Sequence, residues 1–200
     1  MILAYDVTDL NAHIAWTDER GERHTQSITS GKATGFLLPT LDDLENRFGQ
    51  ITRMGVVTGP GSFTGIRVGI ATALGLKAAR SLEVFGFSKL DLVSDLLENE
   101  TLVLPGGRGQ LIRTRFREGR PDEAPKLVPL DQCDPRDCRS LSPIPGFDCP
   151  SLDLNTALRC LQLTERGTPR EDDLIPCYVR PADAVAGRSL ISKLLNPTEA

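Results

Sequence analysis

Residues 58–69 read Thr-Gly-Pro-Gly-Ser-Phe-Thr-Gly-Ile-Arg-Val-Gly, and they join a short β run, Met54 to Thr58, to a long helix with few charges. The glycines allow backbone angles that a Cβ would forbid, and Pro60 stiffens the turn between them. Ser62 and Thr64 are residue types that cap helix starts, so the loop is predicted to lead directly into the helix. Such a strand–loop–helix unit leaves backbone N–H groups unpaired, which suits an anion.

The helix predicted at 64–80 is small or apolar on almost every side. Its charged residues are Arg67, Lys77 and Arg80. One stripe of small residues is Gly65, Gly69 and Ala73, and a second is Val68, Ala71 or Thr72, Gly75 and Ala79. Internal glycines each cost a helix about 1 kcal/mol relative to alanine, so close approach by another element is the expected compensation. A helix that is apolar all round is buried on more than one side. We therefore expect one side to face the parent sheet and the other a partner chain.

The loop before this helix matches neither of the two common glycine-rich phosphate patterns, Gly-x-x-x-x-Gly-Lys-Ser/Thr and Gly-x-Gly-x-x-Gly. A structural role, in which the loop aims the helix at an interface, is therefore favoured over phosphate binding. The helix dipole disfavours a cation in the first turn, so Arg67 is expected to have a carboxylate or carbonyl partner.

The first hundred residues are predicted to follow the order β-β-β-α-β-α-β-α. The strands are predicted at 2–5, 12–17, 23–29, 54–58 and 84–87, and the helices at 35–48, 64–80 and 88–99. A three-stranded antiparallel opening followed by strand–helix units fits the α/β, ribonuclease-H-like lobe of the actin/hexokinase/Hsp70 (ASKHA) superfamily. Proteins of this superfamily carry two related lobes, so we predict one lobe at 1–100 and a second at 101–200.

The second lobe is predicted to be reduced. Its strands are predicted at 102–104, 109–116 and 126–130, followed by a loop at 131–150 and a helix at 152–166. These elements are too few for a full copy of the first lobe.

The composition is that of an ordinary globular protein of 200 residues, with 40% apolar and 25% charged residues. A net charge of −4 argues against this chain alone binding an RNA backbone, because such binding depends on lysine and arginine neutralising phosphates. No run approaches the about 18 apolar residues of a transmembrane helix, and the N-terminus lacks the basic region of a signal peptide, so a cytoplasmic protein is expected. The five cysteines form no Cys-x-x-Cys pair, which favours free thiols over a zinc cluster.

Residues 59–69 resemble the signature of the TsaB (YeaZ) family, the smaller paralogue of TsaD in bacterial tRNA threonylcarbamoyladenosine synthesis. Three further segments agree in place and order. Ile2–Thr8 resembles the family's opening strand, Val84–Leu90 resembles its Val-Gly-Val-Ser-Ser-Leu motif, and Ile175–Arg180 resembles its Pro-X-Tyr-X-Arg tail. The resemblance is dense over the first half of the chain. In the second half, the family's Asp-Ala-Arg after the first strand is replaced by Pro105-Gly-Gly-Arg-Gly109.

The resemblance implies a non-catalytic subunit with no cofactor of its own. Such a subunit would pair with a TsaD-like catalytic protein, be joined by a TsaE-like ATPase, form a homodimer when alone and meet tRNA only through the complex. ATP or ADP would be held, if at all, at the partner interface. The residues predicted to pack against the partner are Gly65, Ile66, Gly69, Ile70 and Ala73, with Leu38 and Leu41 of the preceding helix beside them.

The alternative is a small enzyme of the same superfamily that binds ATP between the lobes. Superfamily kinases place a carboxylate at the end of the first strand, and Asp6 occupies that place. The loop residues that would contact a nucleotide or another anion are Gly59, Gly61, Ser62 and Thr64. A third reading is a plain homodimeric structural protein.

Two other kinds of catalysis are disfavoured by the sequence. TsaD carries two histidines four residues apart on a helix that hold a metal ion, whereas the two histidines here, His13 and His24, are eleven residues apart on separate predicted strands. No metal site is therefore predicted. A serine hydrolase is disfavoured because the sequence around Ser62 lacks the Gly-x-Ser-x-Gly spacing and no histidine lies near it in sequence.

Overall fold

A five-stranded sheet organises the first half of the chain in the structure, a computed structural model that describes residues 1–29, 33–167 and 174–179. The strands are β1 (Ile2–Asp6), β2 (Asn11–Thr17), β3 (Arg23–Thr29), β4 (Arg53–Val57) and β5 (Glu83–Phe87), in the spatial order β3-β2-β1-β4-β5. Strands β1 to β3 are antiparallel, and β4 and β5 continue the sheet in parallel with β1. The predicted ribonuclease-H-like lobe is confirmed.

Helices cover both faces of this first sheet. Successive side chains of β1 point to opposite faces and therefore enter two different cores. Leu3 and Tyr5 belong to a core with α1 (Ala33–Phe48) and α2 (Phe63–Ala79). Ala4, between them, belongs to a separate core on the opposite face with α3 (Thr156–Arg166). No helix of the described residues is long and apolar enough to cross a membrane.

The helix predicted at 88–99 is wrong beyond its first turn. The first turn has a side-chain cap, since the Asp91 carboxylate accepts hydrogen bonds from the backbone N–H and the hydroxyl of Ser88 at 2.7 Å each. Only a single 3-10 turn follows, Asp91–Val93. The Arg159 guanidinium donates to the Leu92 carbonyl at 3.2 Å, which takes an acceptor that a continuing helix would use.

A second sheet contains β6 (Thr101–Gly107), β7 (Gln110–Arg117), β8 (Arg120–Pro121), β9 (Lys126–Pro129) and β10 (Cys138–Ser140). Strands β6, β7 and β9 form an antiparallel opening, and β10 lies parallel to β6. The three predicted strands are therefore present. The loop predicted at 131–150 is wrong in part, because it contains β10, which with three residues is too short to show a period in the sequence.

The last predicted helix begins at Thr156 rather than 152, because the Asn155 side chain caps it by accepting from the Leu158 N–H at 3.0 Å. This helix, α3, follows the second sheet in sequence but packs on the first: Ala157, Cys160 and Leu161 share a core with residues of β1, β2 and β4. The predicted division at residue 100 therefore separates the two sheets but not the two cores. Arg180 of the predicted tail motif lies outside the described residues.

Candidate functional site

The glycine-rich loop is held in place by its own chain. The Ser62 hydroxyl caps α2 by accepting from the Gly65 N–H at 3.3 Å, and the Ser62 N–H donates to the Thr8 carbonyl at 2.6 Å. The Thr58 carbonyl accepts from the Cys177 N–H at 2.9 Å, so residues 174–179 lie against the loop. The predicted cap and loop are thus present. The loop needs no ligand to keep its shape.

The glycine stripe of α2 faces the protein's own sheet. A Cβ on Gly65 would lie 2.1 Å from the carbonyl oxygen of Val7, and one on Gly69 would lie 3.1 Å from the Val7 side chain. The Tyr5 hydroxyl donates to the Gly69 carbonyl at 2.7 Å. The glycines therefore serve a close approach of α2 to β1 within one chain.

This packing corrects most of the predicted partner surface. The predicted partner residues that are instead buried inside the chain are Gly65, Ile66, Gly69, Ile70, Ala73 and Leu41. The error has a physical cause: both stripes of α2 are small and apolar, so the hydrophobic period does not distinguish the sheet side from the outer side. Leu38, which is 54% exposed on α1, is the one member of the predicted set that faces outward.

The opposite side of α2 is exposed. It presents small or apolar residues over most of its length, with Leu74 exposed by 47%. We call this surface the outer α2 face and define it as Arg67, Ala71, Leu74, Gly75 and Ala78. In the described part of the chain, the Arg67 guanidinium lies over the Phe63 ring at 5.4 Å from its centroid, in place of the predicted carboxylate or carbonyl partner.

A cleft of about 1460 Å³ lies between the two sheets. One wall is the turn between β1 and β2 together with the start of α2, and the other includes the end of β6. Of the predicted anion-loop residues, Gly61, Ser62 and Thr64 line this cleft, whereas Asp6 and Gly59 lie behind its surface.

Asp6 is fully buried at the end of β1, and three hydrogen bonds occupy its carboxylate. Oδ1 accepts from the backbone N–H of Thr8 at 2.8 Å and from the Thr8 hydroxyl at 2.7 Å. Oδ2 accepts from the Thr156 hydroxyl of α3 at 2.6 Å. Asp6 thereby ties the end of β1 to the start of α3.

Lys89 supplies the positive charge of this site. It is 2% exposed, and its Nζ donates to Asp9 Oδ2 at 2.7 Å and lies 3.8 Å from Asp6 Oδ2. Burial opposes the charged form of Asp6, but the Lys89 charge and the hydrogen bonds from Thr156 and Thr8 outweigh it, so the Asp6 pKa lies below its ordinary value. Burial likewise opposes the charge on Lys89, and the two carboxylates outweigh it and raise the Lys89 pKa.

Asp6 was predicted from the sequence as a candidate site residue, whereas Lys89, Asp9 and Thr156 were not. A lysine at the start of a predicted helix is typical of a solvated residue, and Thr156 lies 150 positions from Asp6. The signal that was available is the position of Lys89 directly after β5, since β4 and β5 both run parallel to β1 and end at the same edge of the sheet.

The two histidines lie on the neighbouring strands β2 and β3. His13 Nδ1 is 3.0 Å from the Ser27 hydroxyl, and His24 Nε2 is 2.8 Å from Asp18 Oδ2. Among the described residues, Asp18, Glu22 and His24 bring three metal-ligand atoms within 4.8 Å of one another. This group lies on the hairpin turn, where the other Asp18 oxygen accepts from the backbone N–H groups of Arg20 and Glu22.

Comparisons with known proteins agree on the fold. Residues 30–122 match the family model described as TsaD, tRNA N6-adenosine threonylcarbamoyltransferase. An uncharacterised protein of Mycobacterium leprae (strain TN), ML0378, is 29% identical over 119 residues, which are 59% of this chain and 32% of that protein. The chain thus matches about a third of the length of this curated relative.

Two solved structures have the same fold. An uncharacterised protein with similarity to the peptidase YeaZ, from Pseudomonas aeruginosa, superposes with a TM-score of 0.62 at 18% identity over 90% of this chain and 99% of that one. YeaZ from Pseudomonas aeruginosa gives a TM-score of 0.61 at 19% identity over 89% and 99%. Together with the family model, they confirm the predicted fold class and agree with the resemblance stated for residues 59–69.

Proposed function

We propose that this chain, a TsaB (YeaZ)-like protein by motif and by fold, is a non-catalytic subunit that pairs with a TsaD-like protein in N6-threonylcarbamoyladenosine modification of tRNA. The observation that carries the proposal is the outer α2 face. It is a helical surface of small and apolar residues, Ala71, Leu74, Gly75 and Ala78, that no described element covers. Small residues let a second helix approach closely, and an exposed apolar patch is typical of a protein interface.

Leu38 extends this surface onto α1, which packs beside α2. A partner helix lying against α2 would also cover Leu38 and Leu74, the two large apolar side chains that are exposed on the described parts of these helices. The proposed partner surface is therefore the outer α2 face with Leu38. Of the residues predicted from the sequence, only Leu38 belongs to it.

Two observations support a non-catalytic role. The Asp6 carboxylate, at the place of a superfamily catalytic acid, is committed to Thr8, Thr156 and Lys89. The net charge of −4 makes direct capture of tRNA by this chain unfavourable, so the partner would supply the tRNA contacts.

The same proposal covers the other members of the assembly. A TsaE-like ATPase would join the pair, any ATP or ADP would lie at the partner interface, and two copies of this chain would use the outer α2 face to dimerise when the partner is absent.

The test is co-purification of the full chain with the TsaD-like protein of the same organism. Ala71→Arg places a long charged side chain in the middle of the outer α2 face, and we expect at least about a tenfold loss of affinity, about 1.4 kcal/mol. The matched control is Ala124→Arg, the same substitution at an exposed position in the loop between β8 and β9. Circular dichroism checks that both variants are folded.

Wild-type binding by Ala71→Arg would contradict the interface, and no binding by the wild-type chain would contradict the pairing itself. The ATP-dependent enzyme is the weaker alternative, because the acid it requires, Asp6, already has its partners. Sub-micromolar binding of ATP and magnesium by the isolated chain would favour that enzyme.

A further inference from the structure

The ASKHA fold implies a metal–nucleotide complex beside the carboxylate at the end of the first strand, and the residues at that place in this chain do not fit one. A carboxylate has about four lone-pair positions. Three of those of Asp6 accept hydrogen bonds from Thr8 and Thr156, and the fourth side of the group faces the Lys89 ammonium. A metal ion could bind Asp6 only after Lys89 had moved away.

We propose that Lys89 is a built-in counter-ion that takes the place of a divalent cation beside Asp6. The inference goes beyond the proposed function, because it concerns the isolated chain and holds whether or not a TsaD-like protein binds.

The position of Lys89 is fixed at both ends of the residue. Its backbone N–H donates to the Gly59 carbonyl at 2.6 Å, which anchors it to the glycine-rich loop. Its Nζ donates to Asp9 Oδ2 at 2.7 Å, so the ammonium is held between one fully buried carboxylate and one that is about half exposed. The ammonium therefore bridges two carboxylates, as a divalent cation with oxygen ligands would.

The charges of Asp6, Asp9 and Lys89 explain why a lysine can take the place of a divalent cation. With Lys89, the site contains two negative charges and one positive charge. Without it, Asp6 would be a buried carboxylate with a second carboxylate, Asp9, near it and no compensating charge. A buried charge without a partner is strongly unfavourable, and two adjacent carboxylates favour a hard cation such as Mg²⁺. In the TsaB-like motif at 84–90, Lys89 stands where the family pattern has its second serine.

The test uses the full chain alone and the variant Lys89→Met, which keeps the length of the side chain and removes its charge. We expect the melting temperature at pH 7 to fall by about 10 °C, and millimolar MgCl₂ to restore about half of the loss. The wild-type melting temperature should not change with MgCl₂.

The matched control is the double variant Asp6→Asn/Lys89→Met, which removes both charges of the buried pair. It should be more stable than Lys89→Met and should lose the response to MgCl₂, because no buried carboxylate remains to bind the ion. If Lys89→Met does not fold and the double variant does, the uncompensated charge is the cause and the proposal stands.

Three results would overturn the proposal. One is a Lys89→Met variant as stable as the wild type, and another is failure of both variants to fold, since Lys89 would then act through packing. The last is a wild-type chain that is stabilised by MgCl₂ or by Mg–ATP and loses that response in Asp6→Asn. None of these results depends on co-purification with the TsaD-like protein, so the two proposals can fail separately.

Discussion

In the first sheet, β3, β2 and β1 form an antiparallel opening and β4 lies parallel to β1; in the second sheet, β9, β7 and β6 form the same opening and β10 lies parallel to β6. The first sheet has helices on both faces, whereas the described residues from 101 to 150 contain no α-helix. The helix that follows β10 in sequence, α3, covers the first sheet instead of the second. The first lobe thus has a sheet covered by helices on both faces, whereas the helix that follows the second sheet in sequence packs on the first lobe.

The equivalent strands β1 and β6 also differ in the residues at their carboxyl ends. After β1, Asp6 gathers Thr8, Thr156 and Lys89 around a buried charge. Strand β6 ends in glycines, and Arg108, directly after it, has a φ of 54°, in the region of a tight turn. Polar chemistry is therefore concentrated at the end of the first lobe's strand.

The largest expected effect tests how far the first lobe depends on close helix-to-sheet packing. In Gly65→Val, the new Cβ would lie 2.1 Å from the Val7 carbonyl oxygen, so α2 must move away from β1. We expect a loss of about 4 kcal/mol in the free energy of unfolding, measured by urea denaturation. A loss below about 1 kcal/mol would show that α2 can move away from β1 at little cost. Close helix packing would then not distinguish the first sheet from the second.

The first lobe could largely be predicted from sequence because its signals are local. Strands β1, β2, β4 and β5 each have an apolar run, and residues 58–69 contain their own turn and cap. The side of α2 that meets the sheet could not be predicted, because Gly65 and Ala71 lie on opposite sides of a helix that is small and apolar on both.

The candidate site was less predictable because its members come from distant parts of the chain. Lys89 reaches Asp6 only after β5 has paired with β4, and Thr156 reaches it only after α3 has packed on β1. The position of Lys89 after β5 is a signal in the sequence, whereas Thr156 has none. The second lobe was predicted only in part, for another reason: β10 has three residues, too few for any period, and the helix after it packs on the first sheet.

An effect of intermediate size on the free energy of unfolding is expected when the buried hydroxyl that contacts Asp6 is removed. Thr156→Val removes the hydroxyl that donates to Asp6, and we expect a loss of about 2 kcal/mol at pH 7. The folded-state pKa of Asp6 is lowered, so its contribution to stability is present above the unfolded value of 3.8 and is lost as the pH falls through the folded value. The difference between wild type and variant should therefore narrow below pH 3.8, which chemical denaturation across pH 3–7 would measure.

Thr114→Val is the matched control in the second lobe. Thr114 is 1% exposed on β7, and its hydroxyl has no hydrogen-bond partner within the described ranges. Replacing it by valine should raise the free energy of unfolding by about 1 kcal/mol at every pH, because an unsatisfied buried hydroxyl is removed. If Thr156→Val and Thr114→Val change stability by the same amount, the hydrogen bond to Asp6 contributes nothing of its own.

The smallest effect concerns Gly75, on the same helix as Gly65 but on its exposed side. Apart from its chain neighbours and the backbone of its own helix, no atom of the described residues lies within 4 Å of a Cβ built on Gly75. Gly75→Ala should therefore stabilise the isolated chain by about 1 kcal/mol through helix propensity alone. A glycine kept at that cost on an open surface is explained if a partner backbone approaches it. Gly75→Ala should therefore raise the melting temperature of the chain by a few degrees and, in the same co-purification assay, weaken capture of the TsaD-like protein. A more stable variant that binds its partner as well as the wild type would mean that the partner helix does not cross the outer α2 face at this point.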